Sequence, residues 1–444
     1  MFTYIKTRNY KSLGEFELNL INKKKQAKKL AIIYGENGAG KSNIATIFYT
    51  LADLLRTMSI RDILQDLLQE RKEDKRPEEI TIQEEFIEMV RAGFKDIETI
   101  INDNKTIDSM ENMIIEFGFQ LDGDNGNYII EMNNSRIVRE ELNFIIEKNR
   151  GNYFKITDNE IKTNDKIFNN KSYQDELLEE IKKYWGKHSL LSILINDIQE
   201  KADGYVKKQV SNNFNRVISF LNGFCCKVKV GNRNERGKIG IKYKVFKNLY
   251  SGKIPLKDKE NLIKTEELLN EFFTRLYSDV KEVYYKINEN ENNIEYKLFC
   301  KKLITNKIVN IDFKLESTGT QQLLDLIPYI LEATEGNVVI IDEFDAGIHD
   351  LLASNLVMCI NECIEGQLIL TTHNTMLMES NIDKDSLYFL VVDNNGIKRA
   401  LTINDYDDRV HPNNNLRNKY LKGVYGGIPY TMEINFQELI DILE

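Results

Sequence analysis

The run LAIIYGENGAGKSNIATIFYTL, residues 30–51, restricts the possible folds more than any other part of the chain. Leu30, Ala31, Ile32 and Ile33 read as a buried strand, and Ile44, Ile47, Phe48, Leu51 and Leu55 recur at helical spacing directly behind it. Between them, Gly35, Gly40, Lys41 and Ser42 satisfy the G-x-x-x-x-G-K-S spacing. Glycines there let successive backbone N–H groups turn inward toward phosphate oxygens, and the following helix offers its positive end. In that geometry Lys41 neutralises β- and γ-phosphates and Ser42 ligates magnesium. A plain glycine turn that holds no phosphate is the alternative, and it would usually lack the strand before and the helix after.

At 444 residues the chain is long enough for a large core and two or three domains. A net charge of −9 argues against a protein that coats nucleic acid by bulk electrostatics. Apolar residues make up 42%, yet no run approaches the roughly 20 apolar residues of a membrane span. The start, MFTYIKTRNYKSLG, has no signal-peptide core. A soluble, cytoplasmic protein without a membrane partner is expected. The five cysteines fit reduced core thiols; Cys359 and Cys363, one helical turn apart, could share a metal, but no further ligand lies near them in sequence.

Residues 1–33 read as strands, and residues 56–110 as a charged helical insertion broken by Pro77. Strand signals return at 111–145, in MIIEFGFQL and NYIIEM, joined by a polar turn from Asp122 to Asn127. From 146 to 305 the pattern is mainly helical, TEELLNEFFTRLYSDVKEVYYKI being one of the clearest segments. Within it, residues 224–247 alternate about a polar turn, which predicts a β-hairpin with Lys227 and Lys229 on one face of its first strand and Lys242 and Lys244 on its second. Such a ladder could hold phosphates or an acidic partner, or be a solvated face that discourages edge pairing.

From 306 to 444 the pattern sharpens. Val338 to Ile341 form an apolar strand that ends in Asp342 and Glu343. An acid at that place suits the water shell of a metal, and Glu343 beside it could polarise an attacking water; a helix N-terminal charge pattern is the alternative. His373 ends a second buried strand, where a γ-phosphate sensor would sit. Ser317, Gly319 and Thr320 precede an apolar helix containing Pro328, giving a second anion-binding helix start or a plain N-cap.

Taken together, GENGAGKSN, ESTGTQQLL, VVIIDEFDAGIHDLL and TTHN resemble the Walker A, signature, Walker B with D-loop, and switch-histidine segments of ABC-type ATPases. The opening Asn9-Tyr10-Lys11-Ser12 strand is similar to the RecF, SMC and OLD-like branch. ESTGT, the strands at 111–145 and the closing RNKYLKGVYGGIPY resemble the AAA ATPases of bacterial abortive-infection systems, the AbiL-type and PARIS systems among them. The resemblance implies an α/β, ABC-type P-loop fold with a mixed sheet, assembled from 1–55, 111–145 and 306–444. It implies ATP and Mg2+ as cofactors, with Gly35, Glu36, Asn37, Gly38, Ala39, Gly40, Lys41, Ser42 and Asn43 as the nucleotide cradle. Ser42 and Asp342 would hold the metal, Glu343 the water and His373 the γ-phosphate. Ser317, Gly319 and Thr320 would close on a partner's nucleotide in an ATP-sandwich dimer, with Ala346 and Gly347 at the seam. Gln120 lies near where a Q-loop glutamine is expected.

The function so implied is a slow ATPase in phage defence, sensing a phage-encoded trigger and controlling a separate nuclease or toxin. A RecF-like or SMC-like repair ATPase that binds DNA directly shares every motif. A transporter ATPase would carry LSGGQ, which is absent.

Overall fold

The central sheet has two buried faces, and the phosphate loop leaves from one of its middle strands. A computed structural model describes residues 1–73, 95–202, 204–230, 234–238, 248–406, 415–428 and 434–442. Three sheets organise the described residues.

The first begins with β1 (Phe2–Tyr10) and β2 (Gly14–Asn19). β3 (Leu30–Gly35), α1 (Lys41–Glu73) and α2 (Ile97–Asn104) intervene before β4 (Met113–Leu121), β5 (Asp124–Met132), β6 (Ile137–Ile146), β7 (Asn149–Thr157) and β8 (Ile161–Thr163) complete it. All pairings are antiparallel, in the order β2-β1-β4-β5-β6-β7-β8. The β4–β5 turn is tighter than the expected polar turn: Leu121 pairs Asp124, and only Asp122 (φ +50°) and Gly123 (φ +93°) lie between. Two positive φ values in succession match the right-handed twist of the flanking strands.

Helices α3 (Lys171–Tyr184), α4 (Leu190–Glu200), α5 (Tyr205–Gln209) and α6 (Asn212–Gly223) follow, then β9 (Cys225–Val230) and β10 (Asn234–Lys238). Next come β11 (Ser251–Pro255), α7 (Lys259–Leu276), β12 (Val280–Glu289), β13 (Asn293–Ile304) and β14 (Lys307–Asp312), where β13 pairs with the other three strands. The chain continues with α8 (Thr318–Thr334), β15 (Val338–Ile341), α9 (Asp350–Cys363), β16 (Gln367–Thr371), β17 (Leu387–Val392), β18 (Lys398–Thr402), α10 (Leu416–Leu421) and α11 (Phe436–Asp441).

The central sheet has the order β10-β9-β15-β16-β3-β17-β18, parallel from β9 to β17 with antiparallel edges. Its strands are apolar runs because both faces are covered. Ala31, Ile33, Cys226, Ile340 and Ile369 face a core shared with the first sheet and α1, whereas Ile32, Cys225, Val339, Ile341 and Leu370 face a core shared with the third sheet, α8 and α9. Buried Gln367 joins the two sheets: Oε1 accepts from Phe2 N–H at 2.8 Å, and Nε2 donates to the carbonyls of Phe2 and Lys28, each at 2.9 Å. All its bonds are internal, as a buried amide requires.

The α/β class with a mixed sheet is as expected, but the division of the chain is not. The boundary at 55/56 falls inside α1, and Pro77 lies outside the described residues. Residues 146–305 are not a mainly helical insertion: β7 and β8 extend the first sheet, and β9 is a parallel strand of the central sheet. The helix expected to run through 287 ends at Leu276, and β12 begins at Val280. Val280 and Val283 are buried strand residues three apart across a register shift, a spacing that can pass for a helical one. The boundary at 305/306 falls in the β13–β14 turn, where Thr305 and Asn306 both have positive φ.

Candidate nucleotide site

The parallel strands point their carboxyl ends at one edge, where ligands of such sheets bind. β3 delivers the loop there. Gly38 (φ +81°) and Gly40 (φ +110°) occupy the left-handed region, and a Cβ on Gly35 would meet Leu390 Cβ at 3.1 Å. Lys41 is buried, its Nζ donating to the carbonyls of Gly35 at 2.7 Å and Glu36 at 3.0 Å. Burial pulls the Lys41 pKa down, against the opposing pull of Asp342, Glu343, Asp345 and Glu36. Behind the loop, Ser12 Oγ accepts from Asn43 Nδ2 at 2.8 Å and from Lys398 Nζ at 2.5 Å. The turn between β1 and β2, in which Ser12 lies, thus braces the loop from outside.

β15 delivers the acids. Asp342 is buried; its N–H donates to Lys227 O at 2.8 Å, and its Oδ1 accepts from Thr371 Oγ1 at 2.5 Å. Burial raises its pKa, countered by the hydroxyls of Thr371 and Ser42 and the backbone N–H of Lys229, with Glu343 adding to the rise. Glu343 has φ +47°, uncommon for a side chain of its kind. Its N–H donates to Thr371 Oγ1 at 2.8 Å, and its carboxylate is ion-paired to Lys229 Nζ. His373 lies just past β16 at an exposed position. Its pKa is lowered by burial of part of the ring and by Lys41, against Asp345, Glu343 and Asp342. Lys41, His373 and the three acids therefore share one local field.

Asp342 Oδ2 is buried without a hydrogen-bond partner. An orphaned carboxylate oxygen beside the Ser42 hydroxyl is the donor set a magnesium ion takes when phosphates complete its shell. Among the described residues no cluster of three or more His, Cys, Asp or Glu could hold a metal by itself. Cys225, Cys226 and Cys300 are buried and Cys359 and Cys363 exposed, and none of them forms a disulfide.

Ser317 caps α8, its Oγ accepting from Thr320 N–H at 3.2 Å and lying 2.8 Å from Thr320 Oγ1. A Cβ on Gly319 would sit 2.4 Å from Gly347 O, so only glycine lets α8 approach the turn after Glu343 this closely. Ala346 N–H closes that turn onto Glu343 O at 3.0 Å. Among the described residues, no hydrogen bond joins 317–320 to the loop at 35–43 within one chain.

The lysine hairpin is corrected. Its second strand is Asn234–Lys238, inside the expected turn, and Lys242 and Lys244 lie outside the described residues. Lys227 is buried and Lys229 holds Glu343, so neither belongs to an open ladder. Gln120 is engaged elsewhere: its Oε1 accepts from Ala27 N–H, ahead of β3, at 3.3 Å, and its Nε2 donates to Asn125 Oδ1 within its own hairpin at 3.2 Å. Sequence reasoning missed Thr371 and Lys398, and it singled out Lys229 without its Glu343 partner. Thr371 stands where an apolar strand ends in a polar residue, which is the signal that marked Asp342.

No curated protein matches the chain. Among solved structures it is similar to the SMC head domain from Thermotoga maritima, at 12% identity and a TM-score of 0.37 over 90% of this chain and 98% of that one. It is also similar to the Smc head domain with an extended coiled coil bound to the C-terminal domain of ScpA, derived from Pyrococcus furiosus, at 12% identity and a TM-score of 0.38 over 91% and 97%. A third, the recombination mediator protein RecF-ATPrS in the RecFOR pathway, has 12% identity and a TM-score of 0.35 over 90% and 98%. Residues 1–378 match the AAA ATPase domain, a span that takes in the loop, both acids, Thr371 and His373. The chain belongs to the AAA ATPase domain family.

Proposed function

We propose that the chain binds ATP with magnesium and hydrolyses it slowly, and that this cycle makes it the sensor and scaffold of an antiphage system that controls a separate nuclease or toxin. The observation that carries the ATPase part is the buried, partnerless Asp342 Oδ2 beside Ser42, Lys41 and Glu343. Loop N–H groups from Gly35 to Ser42 would cradle the phosphates, and Lys41 would exchange its two carbonyl partners for phosphate oxygens. Ser42 and Asp342 would hold magnesium, which neutralises phosphate charge when bound. Glu343 would take the proton of the attacking water, and His373 would donate to the γ-phosphate. Ser317 and Thr320 of a second copy would cap the nucleotide, making ATP a bridge between subunits.

The antiphage part rests on the resemblance carried by ESTGT at 316–320, the strands at 111–145 and the closing RNKYLKGVYGGIPY. A cytoplasmic location belongs to the same proposal; among the described residues no helix is long and apolar enough to cross a membrane. The competing proposal, a repair ATPase that grips DNA, loses Lys227 and Lys229 as contacts because one is buried and the other paired.

The test is Glu343→Gln, purified with ATP and magnesium from cells carrying the native gene neighbourhood. It should hydrolyse little, stay self-associated with ATP, and retain one protein with nuclease or toxin activity. Wild-type hydrolysis would refute Glu343 as the base, and recovery with nuclease-sensitive DNA alone would favour the repair reading.

A further inference from the structure

We propose that Lys229 is a latch on Glu343, which holds the carboxylate away from water and so sets the rate of hydrolysis. The inference rests on the ATPase reading above and assigns a regulator to the same site.

The placement follows from strand register. β9 runs parallel to β15 with Lys227 opposite Ile341, so Lys229 stands two residues further on, level with the chain as it leaves the strand. One residue then touches both acids. The Lys229 backbone N–H helps hold the Asp342 carboxyl in its charged form, while its Nζ binds Glu343 Oε2. Lys227, on the same face of β9, is buried, and its carbonyl accepts from the Asp342 N–H.

Glu343 cannot respond by moving its backbone. Its N–H is fixed on Thr371 Oγ1, its carbonyl accepts from Ala346 N–H at 3.0 Å, and its φ of +47° is a strained setting that neighbouring bonds maintain. Only its side-chain torsions are free to carry the carboxylate between Lys229 and a water. A carboxylate whose lone pairs are taken by an ammonium is a poorer proton acceptor, because proton transfer must first break the pair. Side-chain exposures of 33% for Lys229 and 37% for Glu343 place the pair where water and salt compete with it. It is a contact weak enough to open in each cycle. The terminal phosphate of a nucleotide held by Lys41 is the charge that would draw the ammonium away, coupling phosphate binding to release of the base.

The experiment compares the full-length wild type, Lys229→Met, Lys229→Gln, Lys229→Arg and Glu343→Gln in steady-state ATP hydrolysis, at low and high salt. Circular dichroism melts confirm that each is folded, and the glutamine variant substitutes if the methionine one is not. Neutralising Lys229 should raise kcat about 2- to 5-fold, the range an exposed ion pair supports, with little change in KM for ATP. Wild type and Lys229→Arg should speed up as salt screens the pair, and the neutral variants should not. A residue with a merely structural role would lower the rate and leave no difference in salt response. A neutral variant with unchanged or reduced kcat, while Glu343→Gln is inactive, overturns the latch and leaves the ATPase reading intact. An inactive wild type beside an active Lys229→Met supports the latch in its strictest form. No hydrolysis by any variant overturns both.

Discussion

Thr371 Oγ1 donates to Asp342 Oδ1 at 2.5 Å while accepting from the N–H of Glu343 at 2.8 Å. One hydroxyl at the end of β16 therefore orients the candidate metal ligand and fixes the backbone that carries the candidate base. Thr371→Val keeps the shape and removes both bonds, leaving a buried carboxylate oxygen and an N–H without partners. Stability should fall by about 1–3 kcal/mol in urea titration. Magnesium-dependent hydrolysis should fall about 10- to 100-fold, as when a partner of a metal ligand is lost. Thr371→Ser should recover most of both; a fully active valine variant would show that the acids orient themselves.

The contrast between Asp342 and Thr371 explains what could be seen in the sequence. Asp342 and Glu343 announce themselves because two charges follow four apolar residues, and the loop because its glycines have fixed spacing. Thr371 is as close to the site, but threonine is common at strand ends and its role depends on β15 and β16 lying side by side, a long-range pairing. Lys229 was legible as part of a lysine face, yet its partner is 114 residues away. β9 itself read as a hairpin strand because local alternation says nothing of which sheet a strand joins, and β12 passed for helix because a strand continuing from a helix keeps its apolar density.

Gly319 packs against Gly347, with Gly347 O only 2.4 Å from where a Cβ would lie. Gly347 is itself at φ +74°, so its carbonyl has little freedom to swing aside. Gly319→Ala should displace the start of α8 from the turn after Glu343 at a cost of about 1–3 kcal/mol. ATP binding at the loop should persist within a few-fold, whereas ATP-driven self-association of the Glu343→Gln protein should be lost. Sedimentation velocity with and without ATP reads this directly, and normal dimers in the double variant would exclude the Ser317–Thr320 turn from the seam.

His373 is exposed, so His373→Ala should leave stability within about 0.5 kcal/mol. Its pKa lies below the ordinary 6.5, through partial burial first and Lys41 second, so the ring is mainly neutral at physiological pH. A neutral ring still donates one N–H to a phosphate. Hydrolysis should therefore drop about 10- to 100-fold in the alanine variant, and wild-type kcat/KM, which reports groups of the free chain, should show no step from this group as pH rises above 6.5. A wild-type kcat/KM that falls through that range, restored to flatness in His373→Ala, would mean the charged ring is the active form.

Glu140 lies outside the site but beneath its support. Its fully buried carboxylate accepts from the N–H groups of Leu190 at 2.6 Å and Leu191 at 3.3 Å and from Tyr128 Oη at 2.9 Å, capping α4. α4 in turn holds α1, the helix of the phosphate loop, through Ser192 Oγ, which accepts from Met58 N–H at 2.9 Å. Burial raises the Glu140 pKa from 4.5 to about 7, against the opposing pull of those three bonds. Between these values the folded chain retains a proton that the unfolded chain has lost, so this group's contribution to stability declines as pH rises from 4.5 to about 7 and is level outside that window. The decline amounts to roughly 3 kcal/mol. Glu140→Gln cannot titrate; at the acid end of the window it should be about 1 kcal/mol less stable than wild type, because an amide nitrogen cannot accept one of the capping N–H bonds, and that deficit should close or reverse toward pH 7 as wild type declines. Urea unfolding at both ends of the window should therefore show a smaller fall for the variant than for wild type. Parallel pH profiles for the two proteins would mean that Glu140 is ionised throughout and that its three donors outweigh its burial.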